Sequence, residues 1–265
     1  MGIIQEKNKK IATQFYDLII NKKDFEAAKP FIGKRYKQHN PLVKDYPEGL
    51  KEFIEFLKEL SGALSNIMKT TTKKLNELVQ YAYGLGATDV AILSPVEIVA
   101  DQYFADRCKE PRCEHYGLAK SCPPYVSGPS EFKKQLEKFS RAIFFKIDVP
   151  SEILFSAECR EVFQLLHQTA AGIEKEAIKK GYINSQAYAG GSCKNIFCHD
   201  HLECNVISKN GECRHPQYAR PSMSGFGINV LKLFETAGWR MSLATRSTDA
   251  MTTQTANVCG LVLVG

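Results

Sequence analysis

Nine cysteines, none of them in the first hundred residues, constrain this chain of 265 residues more than any other feature. Seven fall into two short groups. The first is Cys108-x4-Cys113-x8-Cys122, and the second is Cys193-x4-Cys198-x5-Cys204-x8-Cys213. Cys159 and Cys259 stand apart. An odd count argues against a disulfide framework. The opening Met1–Glu6 has no basic leader followed by an apolar stretch, so the expected compartment is the cytoplasm. With 44% apolar and 24% charged residues the composition is that of an ordinary globule, whose core needs no covalent staples. The grouped thiols are therefore read as chemistry: metal, redox or both.

Four thiols within one loop can close a tetrahedral shell round zinc or hold a 4Fe-4S cubane. Zinc ribbons are built on paired Cys-x2-Cys knuckles, which Cys193, Cys198, Cys204 and Cys213 lack, so their spacing favours iron–sulfur over zinc. Gly190 and Gly191, just before Cys193, would let backbone N–H groups reach the sulfurs. His199, His201 and His215 could each replace a thiolate or serve as surface imidazoles. The first group has three cysteines, with Pro123-Pro124 behind Cys122. Either His115, Cys159 or Cys259 completes its shell, or one metal position stays open to a substrate, as catalytic sites require. For Cys159, at a predicted helix start, and Cys259, in an apolar run, buried packing is the simpler reading. Tyr116, Lys120 and Tyr125 are candidate proton donors beside an open position. Arg220, ahead of a predicted helix, either helps hold an anion at that helix start or pairs with an acid in a rigid loop.

The rest of the chain supplies the frame. Ile11, Phe15, Leu18 and Ile19 keep helical spacing, as do Phe53, Ile54, Phe56, Leu57 and Leu60. Ser61–Asn66 reads as a linker, followed by a helix from about Thr72 to Tyr83. Apolar runs at 90–93, 142–147 and 258–264, together with the stretch Ile183–Ala189, predict strands, separated by helices near 129–139, 159–180 and 228–237. The expected class is α/β: a mixed sheet flanked by helices, with two cysteine-rich loops leaving strand ends, behind a short helical N-terminal segment. Expected domains are 1–65 and 66–265. The net charge of +6 divides equally between residues 1–66 and 67–265 without a basic stripe, so nucleic acid is not an expected partner. Nor is a membrane, since no apolar run reaches the ~18–20 residues of a span. No glycine-rich nucleotide fingerprint is present.

Two resemblances sit on these residues. Cys108…Arg112-Cys113-x2-Tyr116-Gly117…Cys122-Pro123-Pro124 resembles one signature of a family of predicted metal-binding proteins. Gly191-Ser192-Cys193…Cys213-Arg214-His215-Pro216…Ala219-Arg220-Pro221-Ser222-Met223…Gly227-Ile228-Asn229-Val230 resembles its second, so that roughly residues 70–265 are covered. The resemblance implies cysteine-bound metal, with one or two 4Fe-4S clusters preferred and zinc as the alternative, but no particular reaction. Relatives show a more compact second cysteine run, which leaves open which four cysteines share a cluster. Separately, Phe15-Tyr16-Asp17, Tyr36-Lys37-Gln38-His39-Asn40-Pro41 and the helix after Gly49 resemble the opening of a polyketide-cyclase-like cone fold. That resemblance implies a fused remnant serving as a helical cap or dimer surface, with no catalytic role carried to His39 or Asp17. The expected function is electron transfer, or redox or sulfur chemistry on a small molecule, with a redox protein or small substrate as partner and a homodimer as the assembly. An iron–sulfur oxidoreductase or sulfur-handling enzyme would fit. So would a zinc-stabilised module or a carrier of metal or cluster without catalysis.

Overall fold

The structure, a computed structural model, describes residues 2–33, 37, 43–208, 211–244 and 254–265. The chain divides into two compact units, Met1–Lys73 and Lys74–Gly265.

The first unit is helical over its described residues. Helix α1 (Gly2–Tyr16) runs into a π-helical turn at Asp17–Asn21, and α2 (Phe25–Ala28) follows. Asp24 caps α2 by accepting the Ala27 N–H at 3.0 Å. Ile19, Ala28, Leu50 and Ile54 form a small core. Helix α3 (Tyr46–Gly84) is continuous, so the linker expected at Ser61–Asn66 does not exist. Ser61 turns its hydroxyl back onto the Leu57 carbonyl at 2.7 Å, and Gly62 points into open space. Neither therefore interrupts the helix, whose ladder absorbs them at small cost. His39 and its neighbours at 38–42, with Tyr36, lie outside the described residues.

The second unit opens with the end of α3 and continues as β1 (Asp89–Leu93), α4 (Gln102–Asp106), α5 (Gly128–Leu136) and β2 (Arg141–Pro150). After these come α6 (Cys159–Lys179), β3 (Gln186–Ala189), α7 (Cys193–Phe197), α8 (Asn205–Ser208), α9 (Val230–Thr236) and β4 (Thr255–Val264). The α/β class and all four expected strands are present. The sheet has the order β1-β2-β4-β3 and is antiparallel in every ladder, where a mixed sheet was expected. The reason is an insertion. β2 and β3, joined by the α6 crossover, do run parallel, but β4 lies between them and pairs antiparallel with both.

Strict alternation along the central strands builds two cores. Ile143, Phe145 and Ile147 of β2, with Val258, Val262 and Val264 of β4, face Leu75, Leu78 and Ala82 of α3 and Leu166, Ala170 and Ile173 of α6. Phe144 of β2, with Cys259, Leu261 and Leu263 of β4, faces the other way, onto Phe132, Phe226, Leu233 and Phe234. Each fully buried phenylalanine among these contributes roughly 1.5–3 kcal/mol. In α9 Leu233 and Phe234 turn inward, while Leu231 is half exposed. Gly260 of β4 is required by packing: a Cβ there would stand 2.5 Å from Phe145 Cζ.

Hydrogen bonds across the sheet end bring the two cysteine segments together. The Ala189 N–H donates to the Pro221 carbonyl at 3.0 Å, and the Ser222 N–H donates to the Ser121 carbonyl at 3.0 Å. No helix among the described residues is long and apolar enough to cross a membrane.

Candidate metal centre

The first cysteine segment lies between α4 and α5, and the second between β3 and α9. They meet through two Ser-Cys dipeptides. Ser121 Oγ lies 3.0 Å from Cys193 Sγ, and Cys122 Sγ donates to Ser192 Oγ at 3.4 Å. Each loop thus bonds its serine to the other loop's cysteine. Gly225 allows the approach from behind, since a Cβ there would sit 2.9 Å from Pro123 Cδ. Cys108, Cys113 and Cys122 line one cavity of about 130 Å³, together with His115, Tyr116, Pro123, Ser192, Ser222 and Ser224.

Burial raises the thiol pKa values of Cys108, Cys122, Cys193 and Cys198, and neighbouring sulfurs raise them further. Those neighbours trace a continuous set. Cys108 senses Cys113 and Cys122, and Cys122 senses Cys113 and Cys204. Cys193 senses Cys122, Cys213 and Cys204, and Cys198 senses Cys213. All seven grouped cysteines therefore share one electrostatic patch. For Cys193 burial dominates and pushes the pKa up to about 12, with the Ser121 hydrogen bond opposing it. Arg214 partly offsets the rise at Cys198. Such thiols stay protonated at neutral pH unless a cation replaces the proton. Among the described residues no three His, Cys, Asp or Glu side chains already stand as a shell able to hold a metal ion. The loops hold a thiol-rich patch, not a closed polyhedron.

Cys159 and Cys259 are set apart from the patch: burial is the one cause of the raised pKa at each. Cys259 is buried in the core, as expected, whereas Cys159, at the first residue of α6, remains partly exposed. The remaining candidates also separate. His115 and Tyr116 line the cavity. His215 stacks on Phe197, with ring centroids 5.5 Å apart, while His199 is exposed and His201 sits 3.8 Å from Asp200. Lys120 lies over the Tyr125 ring at 5.9 Å. Gly190 does not offer its N–H to a sulfur, because that N–H donates to the Cys259 carbonyl at 3.3 Å in continuation of the sheet. The anion site considered at Arg220 is replaced by an acid pair: Glu174 holds the guanidinium at 2.6 and 2.9 Å. The start of α9 is capped internally, where Asn229 Oδ1 accepts the Lys232 N–H at 3.0 Å.

One residue that sequence reasoning passed over organises the second loop. His167 is fully buried on the apolar face of α6. Its Nδ1 accepts the Arg220 N–H at 3.2 Å, which leaves Nε2–H to donate to the Gly190 carbonyl at 3.0 Å. Gly190 and Arg220 bracket the loop that carries Cys193 to Cys213, so a single imidazole ties both ends. Phe197, inside the loop, meets the same ring edge-on at 5.7 Å. The sequence clue was a lone His amid Leu166, Ala170 and Ile173. Lys194 adds an internal tie, donating to the Cys198 carbonyl at 2.7 Å.

Burial lowers the His167 pKa to about 4, against about 6.5 in an unfolded chain. Above pH 6.5 both states are neutral and the group leaves stability unchanged. Between pH 6.5 and 4 the unfolded chain takes up a proton that the fold refuses, so stability falls, by about 3 kcal/mol once below pH 4. His167→Gln, which does not titrate, should flatten that part of the acid limb in urea unfolding of the metal-free protein at pH 7.5 and 4.5. Parallel pH dependence in the two proteins would refute the assignment.

No curated protein and no solved structure matches the chain. A family model does, over residues 91–264, a span that holds both cysteine loops, three of the four strands complete and most of the fourth. The chain belongs to the family of predicted metal-binding proteins designated DUF2284.

Proposed function

We propose that the two loops bind an iron–sulfur centre of the 4Fe-4S type, used for electron transfer or for redox or sulfur chemistry on a small molecule. The observation that carries this reading is the single thiol patch drawn from both loops, one part of which lines a cavity. Its donors fit the group in kind and number: thiolates hold such clusters, and seven are at hand. Cys108, Cys113 and Cys122 would hold a cluster at the cavity, and Cys193, Cys198, Cys204 and Cys213 would supply ligands from the second loop. When bound, a cubane supplies one-electron transfer and, where protein leaves an iron position free, a Lewis acid. The chain's own residues then decide access. Pro123, Ser222, Ser224, His115 and Tyr116 line the same cavity, where the proline would help exclude water and the polar side chains would offer hydrogen bonds to a bound group. A cavity of about 130 Å³, the space of roughly four waters, would be filled largely by the cluster itself, so a small substrate would meet it only at an open face.

The N-terminal unit is read as a dimer surface, since Phe56, Leu60, Leu64, Ile67 and Met68 lie exposed along one face of α3. Anaerobic purification followed by iron, sulfide and zinc analysis tests the central reading. Iron and sulfide in equal amounts, with broad absorption near ~400 nm, is the expected result. Stoichiometric zinc without iron would instead make the loops a zinc-stabilised module.

A further inference from the structure

We propose that Ser121 and Ser192 are positioning residues that donate hydroxyl hydrogen bonds across the loop junction to the metal-bound thiolates of Cys193 and Cys122. The inference rests on the metal-binding reading above, and it adds a tuning role to two side chains that are not ligands.

Three observations carry it. The contacts are reciprocal, with Ser121 Oγ at 3.0 Å from Cys193 Sγ and Cys122 Sγ at 3.4 Å from Ser192 Oγ. Ser121 Oγ also lies 3.9 Å from Cys122 Sγ, between sulfurs of both loops. Ser192 supplies the third. It occupies the N-cap position of α7, where a serine ordinarily accepts an N–H of its own helix, yet its side chain makes no capping bond. Only its carbonyl serves the helix, accepting the N–H groups of Asn195 and Ile196. The hydroxyl of this buried residue, 3% exposed as a whole, is turned instead toward the other loop's sulfur.

The proton inventory follows directly. In the metal-free protein Cys122 S–H donates to Ser192 Oγ. Metal binding forms a metal–sulfur bond at the cost of that S–H bond, and the proton leaves to solvent. Ser192 then rotates its O–H toward the thiolate, which has become an acceptor only. Ser121 does the same for Cys193. Hydrogen bonds to a ligating sulfur stabilise the thiolate against its protonated form, which strengthens metal binding at neutral pH, and they withdraw charge from it, which favours the reduced centre.

The test uses the full chain as Ser121→Ala, Ser192→Ala, the double variant and Ser192→Thr, with folding checked by circular dichroism. Cobalt(II) is the probe metal, and the as-purified centre is titrated where it is redox-active. The alanine variants should saturate with as much cobalt as wild type but hold it about 10–100-fold more weakly against a chelator. Their thiolate-to-cobalt charge-transfer bands should shift, their reduction midpoints should become more negative, and Ser192→Thr should stay close to wild type. A merely structural hydroxyl would lower thermal stability without moving band or midpoint. Unchanged affinity and band energy in the double variant overturns the proposal, as does a wild type whose cysteines take up no cobalt. If the double variant fails to fold, the single variants decide by the same readouts. Zinc in place of iron would remove the iron–sulfur reading while the cobalt arm still judges this one.

Discussion

Cys193→Ser protein purified anaerobically is expected to lose most of its metal, and Cys122→Ser to lose a comparable share, while Cys159→Ser and Cys259→Ala keep the wild-type content. A ligand thiol must give up its proton, and burial with neighbouring sulfurs pushes the Cys193 pKa up to about 12 even against the opposing Ser121 hydrogen bond. A cation can drive that exchange for a thiol. It cannot readily do so for a serine hydroxyl, whose proton is far harder to remove, so the substitution removes an anionic donor and not merely a soft one. The contrast with Cys259 is sharp. That side chain is buried among Phe144, Leu261 and Leu263, and burial alone raises its pKa to about 12. Truncating it costs packing, about 1 kcal/mol, and touches no donor. Because bound thiolates release protons, metal uptake by wild type should also weaken as pH falls. Elemental analysis of the five proteins decides the matter. Equal metal in wild type and Cys193→Ser would show that the second loop's first cysteine is no ligand.

How much of this was legible before the structure depends on the range over which each signal acts. The strands were legible because short apolar runs such as Val90–Leu93 and Ala142–Ile147 are bounded by polar or turn residues, and burial requires nothing beyond the run itself. The insertion of β4 between β2 and β3 was not, since the pairing of Gly260 with Phe145 and Ala189 is fixed by packing over long separations. The false linker at Ser61–Asn66 failed for a local reason: serine and glycine weaken a helix without ending it when the ladder continues on both sides. At the site, the cysteines announced themselves by number and grouping. Their serine partners did not, because Ser121 and Cys193 are bonded 72 positions apart and serine is ordinary in any loop. His167 was hidden differently, inside an apolar helix stripe that Leu166 and Ala170 already explained.

Arg220→Ala should destabilise the metal-free protein by about 3–5 kcal/mol, the cost of leaving one partner of a buried ion pair unmatched. The Arg220 and Glu174 side chains retain only 10% and 15% of their exposure, so solvent does little to screen or replace the contact. Both members are also tied to backbone. Arg220 donates to the Pro216 and Ala219 carbonyls at 3.1 and 2.9 Å, which folds the end of the second cysteine loop back on itself. Glu174 Oε1 accepts the Ala187 N–H of β3 at 2.7 Å. The pair therefore fastens the loop's exit to α6 and to the strand from which the loop departs. Removing the arginine strands a carboxylate that cannot leave without giving up Ala187. Adding Glu174→Gln to Arg220→Ala should restore part of the loss, because a neutral amide oxygen still accepts that N–H and no charge is left buried. Urea unfolding of the three proteins gives the test, with the double variant expected to lie between Arg220→Ala and wild type. A loss under about 1 kcal/mol for Arg220→Ala would place the pair with ordinary surface bridges. The same loosening should reach the metal: with its exit untied, the loop carrying Cys213 should surrender cobalt to a chelator faster than wild type, even where both proteins start fully loaded.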